Sequence, residues 1–195
     1  LAAALCLTNA VFAWKWLPES KLSYAHVTSR KPVWHGVWSV LRNPTGSVQR
    51  LTLIFAVGML SFSCLTSVLA LYLSAEFGIT ERTIGYVFLY VGVFSVLMRS
   101  ALIGPIVDRI GEASSIRIGA LTLVLGLVAY PLAPNLWLLA VVIPLVPIGT
   151  SLLFPATTAM MSKHSEKSEL GTTMGIAQTF AGISRVTAPL LSTTL

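Results

Sequence analysis

Four charged residues crowd into an otherwise apolar stretch, "LIGPIVDRIGEASSIRIGA" at 102–120: Asp108, Arg109, Glu112 and Arg117. A carboxylate at the end of a helix can pair with a guanidinium or face the positive N-terminus of a neighbouring helix. Contacts of that kind are made in one conformation and lost in another, which is the chemistry of a latch rather than of bond cleavage. The plainer reading is that these charges mark a membrane edge. Gly104, Gly111 and Gly119 surround them, and glycine suits a tight turn that needs positive φ or close backbone approach.

Further along, Gln178 and Arg185 lie two helical turns apart and so point in similar directions. A guanidinium at mid-membrane is costly against lipid, so Arg185 needs a wet cavity or a partner. Contact with substrate and a structural pairing both fit. Gly171 and Gly175, with Thr179 and Gly182, form a small-residue face suited to close helix packing. Pro144 and Pro147, followed by Gly149, Thr150 and Ser151, interrupt a span and free carbonyls that are tolerated where they line a cavity. Ser61 and Tyr90 are further candidates for that lining, and Arg99 is a weaker one because its side chain can snorkel to the edge.

His26, His35 and His164 fall in loops, so no span supplies a Ser–His pair or a metal-ligand cluster. No enzyme, metal or cofactor is indicated. No Asp, Glu or His lies near mid-depth of a span, so a proton carrier would have to sit outside this sequence.

The elements that position these residues follow from composition. The chain has 195 residues, 55% hydrophobic and 10% charged, with mean hydropathy +0.81. That is too little polar surface for a soluble domain and reads as a polytopic helical membrane protein. Residues 1–17 read as the end of a membrane helix and 18–50 as a basic linker. Five spans follow, at about 51–75, 84–107, 114–132, 136–161 and 170–195. The alternating polarity of a membrane β-barrel strand is missing from "LTLVLGLVAY" and "LWLLAVVIPL". Basic connections at 18–50, 104–117 and 162–169 alternate with poorer ones, which puts the basic set, linker included, on the cytoplasmic side. The +6 net charge is explained by topology, without nucleic acid. Cys6 and Cys64 lie in apolar stretches and read as small hydrophobes.

Gly104-x-x-x-Asp108-Arg109-x-Gly111 resembles the loop motif of the major facilitator superfamily, G-x-x-x-D-[RK]-x-G-[RK]-[RK], between the eighth and ninth of twelve helices. Glu112-Ala113 departs from it where two basic residues are usual. "LPES" before a basic linker is similar to the end of the sixth helix. "ELGTTMGIAQTFAGISRVTAPLL" (169–191) resembles the eleventh helix of drug–proton antiporters of the tetracycline-resistance type, matching at Gly171, Gly175, Gln178, Arg185 and Pro189. The resemblance implies an all-α fragment, from the end of the sixth helix to most of the eleventh, with the final helix absent. It implies proton-coupled export of small amphipathic molecules by alternating access, with Gly104, Asp108, Arg109, Gly111 and Arg117 as the latch. Its partners would be the lipid bilayer, the N-terminal half of the same protein, a small-molecule substrate and protons, in a bacterial inner membrane by default. The alternative is a non-transporting sensor or scaffold of the same fold.

Overall fold

The computed structural model describes residues 2–16, 33–166 and 169–194. The "LPES" stop, the linker residues Lys21, Arg30 and Lys31, and Lys167 lie outside them. The chain divides into two units. The described part of the first is helix α1, Ala2–Trp16, whose Phe12 and Trp16 rings meet edge to face at 4.3 Å.

The second unit holds the remaining helices. α2 is Val33–Arg42 and α3 is Ser47–Phe77. α3 therefore begins one turn before residue 51, and the linker region carries a helix of its own. α2 docks through Val37 and Val40 onto Ile176, Leu53 and Phe180, leaving Trp38 and Leu41 exposed. α3 stops at Gly78, whose φ of 62° lets its N–H reach Ser74 O at 3.1 Å while Ile79 N–H reaches Leu73 O at 3.2 Å.

The span expected at 84–107 is not one straight helix. α4 (Ile84–Leu97) passes through a π turn at Met98–Leu102 into α5 (Ile103–Ile110), with a 49° bend. Pro105 accounts for it: it has no N–H for the carbonyl one turn back, and its ring crowds that carbonyl. α6 is Glu112–Ala129. α7 (Leu136–Val142) and α8 (Leu145–His164) are broken at Pro144, with Asn135 capping α7 by accepting from Leu138 N–H at 2.8 Å. α9 is Leu170–Thr194.

Among the described residues, Ser47–Phe77, Glu112–Ala129 and Leu136–His164 are long and apolar enough to cross a membrane, and the bent α4–α5 pair makes a fourth. α9 has 25 residues but does not pass that test, because Gly, Thr, Ser, Gln and Arg dilute its apolar content.

Cross-helix bonds fix the directions. The starts of α3 and α6 both meet the end of α8: Thr52 Oγ1 lies 3.7 Å from Met161 Sδ, and Glu112 pairs with Lys163. At the opposite end, Tyr72 Oη donates to Tyr130 O at 2.9 Å. α3 and α6 thus run parallel, with α8 antiparallel to both. The connections before α3, between α5 and α6, and between α8 and α9 share one end of the bundle. Those at 78–83 and 130–135 share the other.

Small residues set the closest crossings. A Cβ built on Gly119 would stand 2.7 Å from Leu153 N and 2.9 Å from Gly149 O, so α6 and α8 touch backbone to backbone. α9 lies on α3 through Ala177, Ala181, Ser184 and Ala188, all buried, and Ser184 Oγ donates across the interface to Ala56 O at 3.1 Å.

Candidate functional site

Two regions bring together the residues singled out above. The first is the charged corner between α5 and α6. Gly111 makes the turn, with φ of 80° and its N–H bonded to Val107 O at 2.9 Å. Its carbonyl takes Ser115 N–H at 3.1 Å and Ser115 Oγ at 2.8 Å. A side chain would be strained at that φ, so glycine is required here. Gly104 is different. It sits inside α5 with nothing within 4 Å of a built Cβ, so it is not a turn residue.

The expected pairing of Asp108 with Arg109 or Arg117 is not made. Asp108 and Arg109 are exposed on the last turn of α5, and neither forms an ion pair with a described residue. The pair that does form joins Lys163 Nζ to Glu112 Oε1 at 2.6 Å. Glu112 is the position that departs from the loop motif, and its partner closes α8. An inverted charge at one site is met by a base on the adjoining helix.

Two clefts open at this end. One, of about 430 Å³, lies between α2, α3, the end of α8 and the start of α9, and includes Gln49, His164, Glu166, Glu169 and Thr173. The other, of about 290 Å³, lies between α3, α6 and α8, and includes Arg50, Arg117 and His164. Arg117 belongs to this second cleft rather than to an ion pair with Asp108.

The second region is the open side of α9. Gly171, Gly175, Gln178, Gly182, Arg185 and Pro189 recur at helical spacing over about 21 Å to Arg185, at 1.5 Å per residue. No described atom lies within 4 Å of a Cβ built on Gly171, Gly175 or Gly182. The packing expected of these glycines is therefore not made within the described residues. The ridge of Ala177, Ala181, Ser184 and Ala188 carries α9 onto α3 instead, at the same helical spacing as the glycines, so spacing alone does not tell the two faces apart. Gln178 and Arg185 are exposed on the open side, and neither side chain bonds to another described residue.

The remaining candidates are spread over the bundle. Thr150 is buried, and its hydroxyl donates back to Val146 O at 3.0 Å and Pro147 O at 3.2 Å. The neighbouring Ser151, fully buried, has the one buried side-chain oxygen without a hydrogen-bond partner among the described residues. Pro155, four residues on, also withholds an N–H from the Ser151 carbonyl. Tyr90 Oη donates to Ala140 O at 3.1 Å, tying α4 to α7. Ser61 donates to Val57 O at 2.9 Å and lines an apolar groove of about 360 Å³ between α3 and α6, away from the α9 stripe. Arg99 is exposed within the π turn.

The family model described as Major Facilitator Superfamily matches residues 51–195, well over half of the chain. No curated protein and no solved structure matches it.

Proposed function

The chain belongs to the Major Facilitator Superfamily and is a transporter of that type, and we propose that it carries small amphipathic molecules outward by alternating access coupled to proton entry. The observation that carries this reading is the α9 stripe. It presents Arg185 and Gln178 between glycines, with no side-chain partner among the described residues, on a helix otherwise held to α3 by alanines. A cation at that depth needs a wet cavity or a countercharge. The substrate path then runs along Gln178 and Arg185, and the N-terminal half of the protein closes the other wall.

The turn at Gly111, with Gly104, Asp108, Arg109 and Arg117 around it, serves as the latch of the closed state. Asp108 and Arg109 stand without partners among the described residues, so their partners would come from the other half. Lys and Arg at this end of the bundle orient it, with the linker, toward the cytoplasm of a bacterial inner membrane. The proton carrier lies in the N-terminal half.

Flux in liposomes tests the reading. The full-length protein with an imposed pH gradient is expected to drive counter-movement of an amphipathic dye. Arg185→Gln should abolish that movement while Arg185→Lys keeps part of it. Movement that ignores the gradient would overturn proton coupling, and full activity of Arg185→Gln would remove the stripe from the path.

A further inference from the structure

α7 and α8 are two pieces of one apolar run, and the helical ladder between them is cut. Ile143 N–H still reaches Leu139 O at 2.8 Å, and Ile148 N–H reaches Pro144 O at 3.0 Å. Between these bonds, Pro144 and Pro147 have no N–H to offer the carbonyls of Ala140 and Ile143. Inside a membrane such a carbonyl takes its donor from a neighbouring helix or an ordered water. For Ala140 the donor is Tyr90 Oη on α4, at 3.1 Å.

This exchange of donors changes what holds the helix in place. A bond from residue i to i−4 travels with its own helix, whereas a bond from α4 lasts only while α4 and α7 stay together. Among the described residues it is the one side-chain hydrogen bond that α4 makes to another helix. α4 also leads somewhere. It passes Tyr90 and continues through the π turn and bent α5 to the Gly111 corner. A displacement of that corner reaches the Tyr90 bond along an uninterrupted run of helical turns. Leu139 and Val142 keep α7 in the core, so loss of the bond tilts α7 about Pro144 rather than freeing it.

We propose that the Pro144 break is a hinge and that the Tyr90 hydroxyl is its catch. Engaged, the catch holds α7 to α4; released, it lets α7 tilt and open that end of the bundle. The hinge stands on the bond and the prolines. Its part in transport rests on the alternating-access reading, as the counterpart of the Gly111 latch at the opposite end.

Hydrogen exchange over residues 136–142, followed by mass spectrometry on the full-length protein in nanodiscs, tests the hinge. Tyr90→Phe removes one oxygen and should speed exchange there about fivefold, one hydrogen bond's worth. Pro144→Ala gives Ala140 O a donor from its own helix, so in that background Tyr90→Phe should change exchange little. Equal acceleration in both backgrounds would show that the ring packs rather than latches, and would overturn the proposal. Unchanged exchange in Tyr90→Phe alone overturns it whether or not the Pro144 variant folds. Tyr72→Phe is the control. Its phenol meets Tyr130 O at 2.9 Å, a carbonyl that Ala133 N–H also reaches at 3.3 Å, so its effect should be the same with and without Pro144. If that effect too vanishes beside Pro144→Ala, the proline change stiffens the whole bundle and Tyr90 is not the catch. Pro144→Ala should also lose most of the gradient-driven flux, and wild-type flux in that variant would take the hinge out of the transport cycle. A wild type without any gradient-driven flux overturns the transport reading instead, and the exchange comparison still decides the hinge.

Discussion

Gly119 and Gly149 face each other across the α6–α8 crossing so closely that neither can carry a methyl group. A Cβ on Gly119 would meet Gly149 O at 2.9 Å, and one on Gly149 would meet Gly119 O at 2.8 Å and Leu123 N at 2.7 Å. The obstructing atoms are backbone, which cannot swing aside as a side chain can. Between membrane helices there is no hydrophobic driving force to spare, and association rests on this kind of close fit.

Gly149→Ala should therefore separate α6 from α8 and destabilise the protein by about 1–3 kcal/mol. The measurement is thermal unfolding in detergent. A melting temperature equal to wild type would mean that the crossing relaxes without cost.

Gly175→Ala should behave in the opposite way. Its Cβ would meet nothing within 4 Å, and alanine favours a helix over glycine by about 1 kcal/mol. Stability should hold or rise. Gly175→Leu should keep the fold yet reduce transport sharply, because the larger side chain blocks approach of whatever meets the stripe. Transport at the wild-type rate in the leucine variant would show that nothing comes close there.

These two glycines also mark how much of the fold the sequence discloses. Both belong to helices that apolar runs and proline breaks announce. What decides their roles is which side of the helix meets a neighbour, and helical periodicity does not say that when apolar residues surround the whole circumference, as on α4. The stripe through Gly171 and Gly175 reads as packing surface from spacing alone, yet the packed ridge is Ala177, Ala181, Ser184 and Ala188. The turn at Gly111 is legible because glycine precedes a charged helix start. The pairing of Glu112 is not, since Lys163 is far away in the chain and only the antiparallel course of α6 and α8 brings it near. The bend near Pro105 was present in the sequence as a proline, but its residence within a longer apolar run concealed it.

Ser151 gives a third prediction. Its hydroxyl is buried without a partner among the described residues, and such a group carries a desolvation cost of about 1–3 kcal/mol. Ser151→Ala should leave the melting temperature unchanged or raise it. Ser184→Ala removes the bond to Ala56 O at 3.1 Å and should lower stability by about 1 kcal/mol. If Ser151→Ala instead costs stability, the hydroxyl holds a water or another residue. If it spares stability but lowers flux, the hydroxyl faces the transported molecule.

The pair of Glu112 and Lys163 separates stability from positioning. Lys163 is 68% exposed and Glu112 19%, and pairs that open to solvent contribute about 0.5 kcal/mol, less in salt. Glu112→Gln should barely move the melting temperature. Charge reversal is the sharper probe. Glu112→Lys sets two ammonium groups against each other where α6 begins, and Lys163→Glu does the same with carboxylates. Both should push the end of α8 away from the Gly111 turn and slow transport. The double reversal restores attraction with the same two side-chain types exchanged, so it should recover most of the lost rate. A double variant as slow as the worse single one would mean that each charge acts separately on some other group, and that the contact between α6 and α8 is not what holds the corner in place.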